Sequence, residues 1–99
     1  MSKERFTWDE SKRLANIRKH GLGFADAEKV FKGVYVSHVD DRFGYDEIRH
    51  VALGLLGGRP ISVTYKEIGD EIRIISFRKA TKKEQKHFSS EIAYGLGED

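Results

Sequence analysis

"SFRKATKKEQKHF", residues 76 to 88, decides the fold. A strand ends there, basic side chains crowd the exit, and Thr81 and Glu84 stand in T-x-x-E spacing. In that capping box each side chain satisfies a backbone N–H at the other's position, so a helix is predicted to begin. Phe88 and Ile92, four residues apart, supply its apolar pair. A strand that runs straight into a capped helix places its cationic exit between sheet and helix. The question is whether those cations solvate a helix or hold an anion.

Upstream, "VYVSHV", "IRHVALGLL", "PISVTYKE" and "IRIISF" are four β-rich runs divided by "DDRFGYDE", "GGR" and "IGDE". Such short links predict antiparallel neighbours. Before them, "RFTWD" reads as a short strand ending in Asp9, a good N-cap for the helix in "ESKRLANIRKHGL". Leu14 and Ile17 share a face of that helix, and Gly21 falls where a left-handed residue would close it behind His20. "FADAEKVFKG" then spaces Phe24, Ala27 and Phe31 as a second short helix. The order β-α-α-β-β-β-β-α defines an α+β domain with helices laid on an antiparallel sheet.

The 99 residues suit one domain, 1–99, with a frayed tail expected at 95–99. Apolar residues make up 38% and charged ones 34%, yet six Phe, four Tyr and one Trp argue for a folded chain. The opening "MSKERFTWDE" lacks the apolar segment of a secretory signal, and no run is long enough to span a bilayer, so a cytoplasmic protein without membrane contact is expected. The absence of cysteine excludes disulfides, thiolate metal sites and cysteine nucleophiles. Acid–base chemistry is left to His, Asp, Glu, Lys, Arg or Tyr.

The net charge of +2 says little, but its distribution is segregated. Arg78, Lys79, Lys82, Lys83 and Lys86 face only Glu84, whereas Asp40, Asp41, Asp46 and Glu47 surround Arg42. In "NIRKHG", capping of the helix end accounts for Lys19 and His20. A proton-transfer or phosphate-binding role for His20 is the alternative, and nothing local decides between them. Arg49 opens a run in which Val51, Leu53 and Leu55 point one way, and by the two-residue period Arg73 shares a face with Ile75 and Phe77. Either arginine could pair structurally with Glu47 or Asp46. Converging with Arg78 and Lys79, they would suit phosphate oxygens and the charge that develops in phosphodiester cleavage. Lys82, Lys83 and Lys86 read first as a solvated helix face and jointly as a stripe attractive to a polyanion. "SHVDD" lacks the second half of a metal-ligand set, and "GLLGGRP" lacks the lysine of a phosphate loop. No metal or other cofactor is expected.

"FTWDESKRLANIRKHGLGFADAEKVF", "DDRFGYDEIRHVALG" and "VTYKEIGDEIRIISFRKATKKE" together resemble the BrnT family, the toxin half of bacterial type II toxin–antitoxin pairs. The likeness spans residues 6 to 88 and rests on W-D-x-x-K, N-x-x-K-H-G, F-x-x-A-x-x-V-F, E-x-R before a glycine, and R-I-I-S-x-R-K-A-x-x-x-E, in order. It implies a RelE-like fold and a ribonuclease that arrests translation and growth. It further implies restraint by a BrnA-type antitoxin, through which alone operator DNA would be bound. On that resemblance the catalytic candidates are His20, Glu47, Arg49, Arg73 and Arg78. Lys19, Lys79, Lys82, Lys83 and Lys86 are the RNA-binding ones. Asn16, Trp8 and Phe31 read as fold residues. Glu10 departs from a common proline, Phe77 from alanine and Phe88 from tyrosine, so Phe88 is given no chemical role.

Two functions follow. One is metal-independent endoribonuclease action, in which a ribose 2′-hydroxyl attacks the adjacent phosphate. The other is non-catalytic binding of nucleic acid or protein by the same cations.

Overall fold

Asp9 opens the first helix in the computed structural model, which describes residues 5–42 and 47–96. Its carboxylate accepts the N–H groups of Ser11 (2.9 Å) and Lys12 (3.2 Å), satisfying donors that the first turn leaves free. Strand β1 (Arg5–Trp8) precedes it and α1 (Glu10–His20) follows. Gly21, at φ 74°, donates its N–H to the Ile17 carbonyl, the left-handed closure that the sequence predicts. The second helix starts more tightly than expected, as a 3-10 turn (Phe24–Asp26) leading into α2 (Ala27–Lys32). The strands β2 (Val36–Asp40), β3 (Arg49–Leu56), β4 (Arg59–Ile68) and β5 (Glu71–Lys79) come next, then α3 (Lys82–Leu96). Gly57 and Gly58, both at positive φ, form the two-residue β3–β4 turn that only such residues adopt without strain.

The sheet runs β1-β5-β4-β3-β2. Its last four strands pair antiparallel as the short links require, but β1 lies parallel to β5, Arg5 opposite Glu71 and Trp8 opposite Ile74. The sheet is therefore mixed, which corrects the all-antiparallel expectation. No short link joins β1 to β5, so loop length held no information about that pairing.

One face carries the core. Ala52, Ile61, Val63, Tyr65, Ile72, Ile74 and Phe77 bury against Phe24, Ala27 and Val30, with Phe6, Trp8 and Phe31 packed at the margin. Phe31 gathers the rings of Phe6, Tyr35 and Tyr65 at centroid distances of 5.0 to 5.5 Å, and Trp8 meets Phe24 edge-on. The apolar face expected of α1 is not what docks it: Leu14 and Ile17 stay 44% and 38% exposed. Asn16 anchors the helix instead. β1 pairs with β5 only as far as Ile74, and beyond it Asn16 takes the place of a strand neighbour. Its Nδ2 donates to the Phe77 carbonyl (2.7 Å), its Oδ1 accepts the Phe77 N–H (3.1 Å), and Nδ2 also reaches the Leu22 carbonyl (2.9 Å). That buried pairing completes the sheet edge, so Asn16 is a fold residue as read.

The opposite face is polar at one end and covered by α3 at the other, where the helix packs on β2 and β3. The tail expected to fray from residue 95 continues as helix to Leu96; residues 97–99, like Asp46, lie outside the described residues. Among the described residues, no helix is long and apolar enough to cross a membrane.

Candidate RNA-binding and catalytic site

A register shift builds the polar face. Thr64 lies opposite Ser76, but Tyr65 lies opposite Ile74, so Ile75 is an extra residue on β5. Directly opposed residues share a face, which puts Arg73 with Lys66, Ser76 with Thr64 and Arg78 with Ser62 on the side away from the core. Arg73 therefore does not share a face with Phe77, as strict alternation predicted. Phe77 is fully buried in the core, and the bulge has moved Arg73 to the same side as Arg78.

Arg49 joins this face from β3. Asp9, Lys12, Glu47, Arg49, Lys66 and Arg73 line a cavity of about 310 Å³ together with Ile68, Ile74 and Ile75. Arg49 donates to Glu47 Oε2 from Nη2 at 2.6 Å and from Nε at 3.2 Å, and Lys66 Nζ approaches the same oxygen at 3.4 Å. Those two cations hold the Glu47 carboxyl below its usual range, Arg49 contributing most. Asp9 is lowered chiefly by the Ser11 hydroxyl and the Lys12 N–H, with a smaller pull from Arg73. Among the described residues Arg73 makes no ion pair within 4 Å. Among the described residues that line the cavity, Lys12, Arg49, Lys66 and Arg73 are cations and Asp9 and Glu47 are carboxylates.

The other candidates separate from this group. Arg78 forms a two-pronged pair with Glu84, 2.9 and 3.0 Å long. Glu84 is also the capping-box residue, accepting the Thr81 N–H at 2.9 Å while its own N–H donates to the Thr81 hydroxyl at 3.1 Å. Burial would raise the Glu84 carboxyl, but the bonds from Arg78 and Thr81 outweigh it and leave it lowered. His20 sits exposed at the end of α1, its pKa lowered by desolvation first and then by Lys19 and Arg78. It feels Arg78 but does not line the cavity. Arg73 and Arg78 are five residues apart on β5, a span of about 15 Å along a strand. Lys19, Lys79, Lys82, Lys83 and Lys86 are all exposed.

Sequence reading missed Lys66, Lys12 and the second role of Asp9. Lys66 stands in an ordinary alternating strand, and only its register against Arg73 and its approach to Glu47 reveal it. Among the described residues no three His, Asp or Glu side chains are grouped to share a metal ion.

An α+β domain with a mixed five-stranded sheet and a cation-rich polar face is the class these features define. Residues 8–84 match the model of the ribonuclease toxin BrnT of type II toxin–antitoxin systems, so the chain belongs to the BrnT family. It is also similar to the crystal structure of the Brucella abortus ribonuclease toxin BrnT, with 35% identity and a TM-score of 0.62 over 81% of this chain and all of that one. No curated protein matches.

Proposed function

We propose that this toxin cleaves RNA at the Arg49–Glu47–Lys66–Arg73 cavity, without a metal ion, by attack of a ribose 2′-hydroxyl on the adjacent phosphate. The observation that carries the reading is Arg73, which among the described residues has no ion-pair partner within 4 Å and so can take the charge of an entering phosphodiester. Arg73, free of a close carboxylate partner among the described residues, binds the phosphate directly, and Arg49 and Lys66 neutralise the charge that builds on its oxygens during attack. Glu47, ionised at neutral pH, takes the 2′-hydroxyl proton as the 2′-oxygen bonds to phosphorus; the bond from phosphorus to the 5′-oxygen breaks, leaving a 2′,3′-cyclic phosphate and a 5′-hydroxyl that takes its proton from water. His20 and Arg78 stand at the far end of the face. We assign Arg78 to holding α3 through Glu84, and Lys19, Lys79, Lys82 and Lys86 to diffuse attraction of the strand.

The family places an antitoxin opposite this toxin. We take it to be of the BrnA type and to carry the complex to operator DNA. The setting is a cytoplasmic toxin of RelE-like architecture that stops growth by cutting RNA needed for translation.

Purified protein should cut single-stranded RNA in EDTA, and a single 2′-deoxy sugar at the cut site should block that cut. Cleavage that needs added Mg²⁺ overturns the metal-free step, and cleavage of the deoxy substrate overturns the nucleophile. Wild-type protein that leaves host growth untouched when expressed alone, and RNA intact, favours the binding-only reading.

A further inference from the structure

We propose that a second cavity, between β2 and α3, is a nucleobase subsite that takes one unpaired base of the RNA strand whose phosphate lies in the cationic cavity; this rests on the reading of that cavity as an RNA phosphate site. The second cavity measures about 360 Å³ and is lined by His38, Leu53, Lys83, Glu84 and His87. Leu53, 1% exposed, is an apolar floor. Above it the imidazoles of His38 and His87 stand at 87° with centroids 6.0 Å apart. Both histidines are exposed, and among the described residues neither ring makes a hydrogen bond, so ring area and ring nitrogens are open to a ligand. Unpaired bases are planar, stack on such rings and offer donors and acceptors at their edges.

Three further observations suit a nucleotide. The surface that the cavity presents is mostly apolar, as the faces of a planar base require, while four of its five described lining residues carry polar or charged groups. Glu84 is held by Arg78 and by the Thr81 N–H, so the carboxylate in the wall is already neutralised and does not repel a polyanion. Lys83 stands exposed beside the cavity, where it can meet the phosphate of the same nucleotide. The two cavities also lie on one sheet face. His38 is opposite Val51 and Asp40 is opposite Arg49, so His38 is two residues from the Arg49 rung, a step of about 7 Å along a strand. A strand with its phosphate on Arg49 and Arg73 thus passes the histidine pair. The subsite would give the toxin a preference for the base beside the cut, which diffuse cations cannot provide.

The test uses a 2′-O-methyl RNA oligonucleotide, which binds without being cut, and an abasic oligonucleotide of equal length. His38→Ala combined with His87→Ala should weaken binding of the base-bearing strand by about tenfold or more, as expected for loss of one base stack, and leave the abasic strand unchanged. His87→Phe, which keeps a ring, should bind the base-bearing strand more tightly than His87→Ala. Arg73→Ala should weaken both strands alike. An equal loss on both strands for the double variant, or no loss on either, overturns the subsite. Because the probe is uncleavable, absence of ribonuclease activity alone would sink the proposed chemistry and leave this readout intact.

Discussion

The two ends of the polar sheet face use arginine differently. At one end Arg49 and Lys66 both reach Glu47, while Arg73, among the described residues, has no ion-pair partner within 4 Å. At the other, Arg78 meets Glu84 one to one through two parallel bonds, and the same Glu84 caps α3. A cation held by its own carboxylate in a fixed fork does fold work, because removing either partner strands the other. A cation without such a partner can take an outside anion. On the proposed reading the same residue type, on the same strand and the same face, divides between chemistry at Arg73 and architecture at Arg78 according to whether a carboxylate stands beside it.

The largest effect should come from replacing Arg73. Arg73→Ala is expected to lower the RNA cleavage rate by about 10²–10³-fold, the usual loss when one charge-stabilising donor is removed from a reacting centre. Its folded spectrum should be unchanged. Arg78→Ala should instead unfold more readily while keeping most of the wild-type rate at temperatures where it remains folded. Initial rates paired with thermal melts separate the two, and a folded Arg78→Ala protein with Arg73-like loss would erase the distinction between the ends.

Stability should respond most at Asn16. Asn16→Ala leaves the Phe77 N–H and carbonyl without their side-chain partners in a buried setting, and unsatisfied groups of this kind cost about 1–3 kcal/mol each. A loss of about 3 kcal/mol in urea unfolding, with cleavage retained in the folded fraction, is the expected result. Glu84→Ala removes the capping box as well as the Arg78 pair and should cost about 1–2 kcal/mol. Glu84 has a folded pKa below its ordinary 4.5, so its contribution is present above that value and disappears as pH falls through the folded pKa. The wild-type advantage over Glu84→Ala should therefore shrink in acid, which melting curves between neutral pH and the carboxylate range would check.

These residues also mark how far local signals reach. The Asp9 cap, the Gly21 closure and the Thr81–Glu84 box were legible because each is a contact within a few residues, fixed by side-chain chemistry. The parallel pairing of β1 with β5 and the Asn16 edge contact join residues more than sixty positions apart, and no periodicity encodes them. The face of Arg73 was misread for a third reason: one bulge residue, Ile75, inverts the parity of the strand behind it. For the site, residue type singled out Arg49, Arg73 and Glu47, but Lys66 became visible only through register. The proposed division of labour between Arg73 and Arg78 rests on Glu84, which the sequence offered as a cap and as the single anion among those cations.

A pH profile sharpens the comparison further by asking which end handles protons. A general base works in its deprotonated form, so the rate falls as pH drops through its pKa. Glu47 is lowered from 4.5 and His20 from 6.5. With Glu47 as base, kcat/KM should hold level from neutral pH down to the carboxylate range, and His20→Gln should leave the profile unchanged. An acid limb below pH 6.5 that His20→Gln abolishes would transfer the proton to the far end.

The smallest effect concerns the helix that bears Glu84. Lys82 and Lys83 are both exposed, adjacent in sequence and identical in charge, but only Lys83 lines the cavity beside His38 and His87. Diffuse attraction would treat the two alike, whereas a localised phosphate contact would distinguish them. Each phosphate neutralised on a single strand contributes about 0.7 to the slope of log affinity against log salt. Lys83→Gln should therefore lower that slope by about 0.7 for the uncleavable oligonucleotide, and Lys82→Gln by clearly less. Neither should shift the melting temperature appreciably, since both side chains project into solvent near the start of the capped helix. Binding titrations across a salt series would decide the point. Equal slopes for the two variants would make the lysines a featureless stripe and restrict the specific anion contacts to the end of the sheet that holds Arg73.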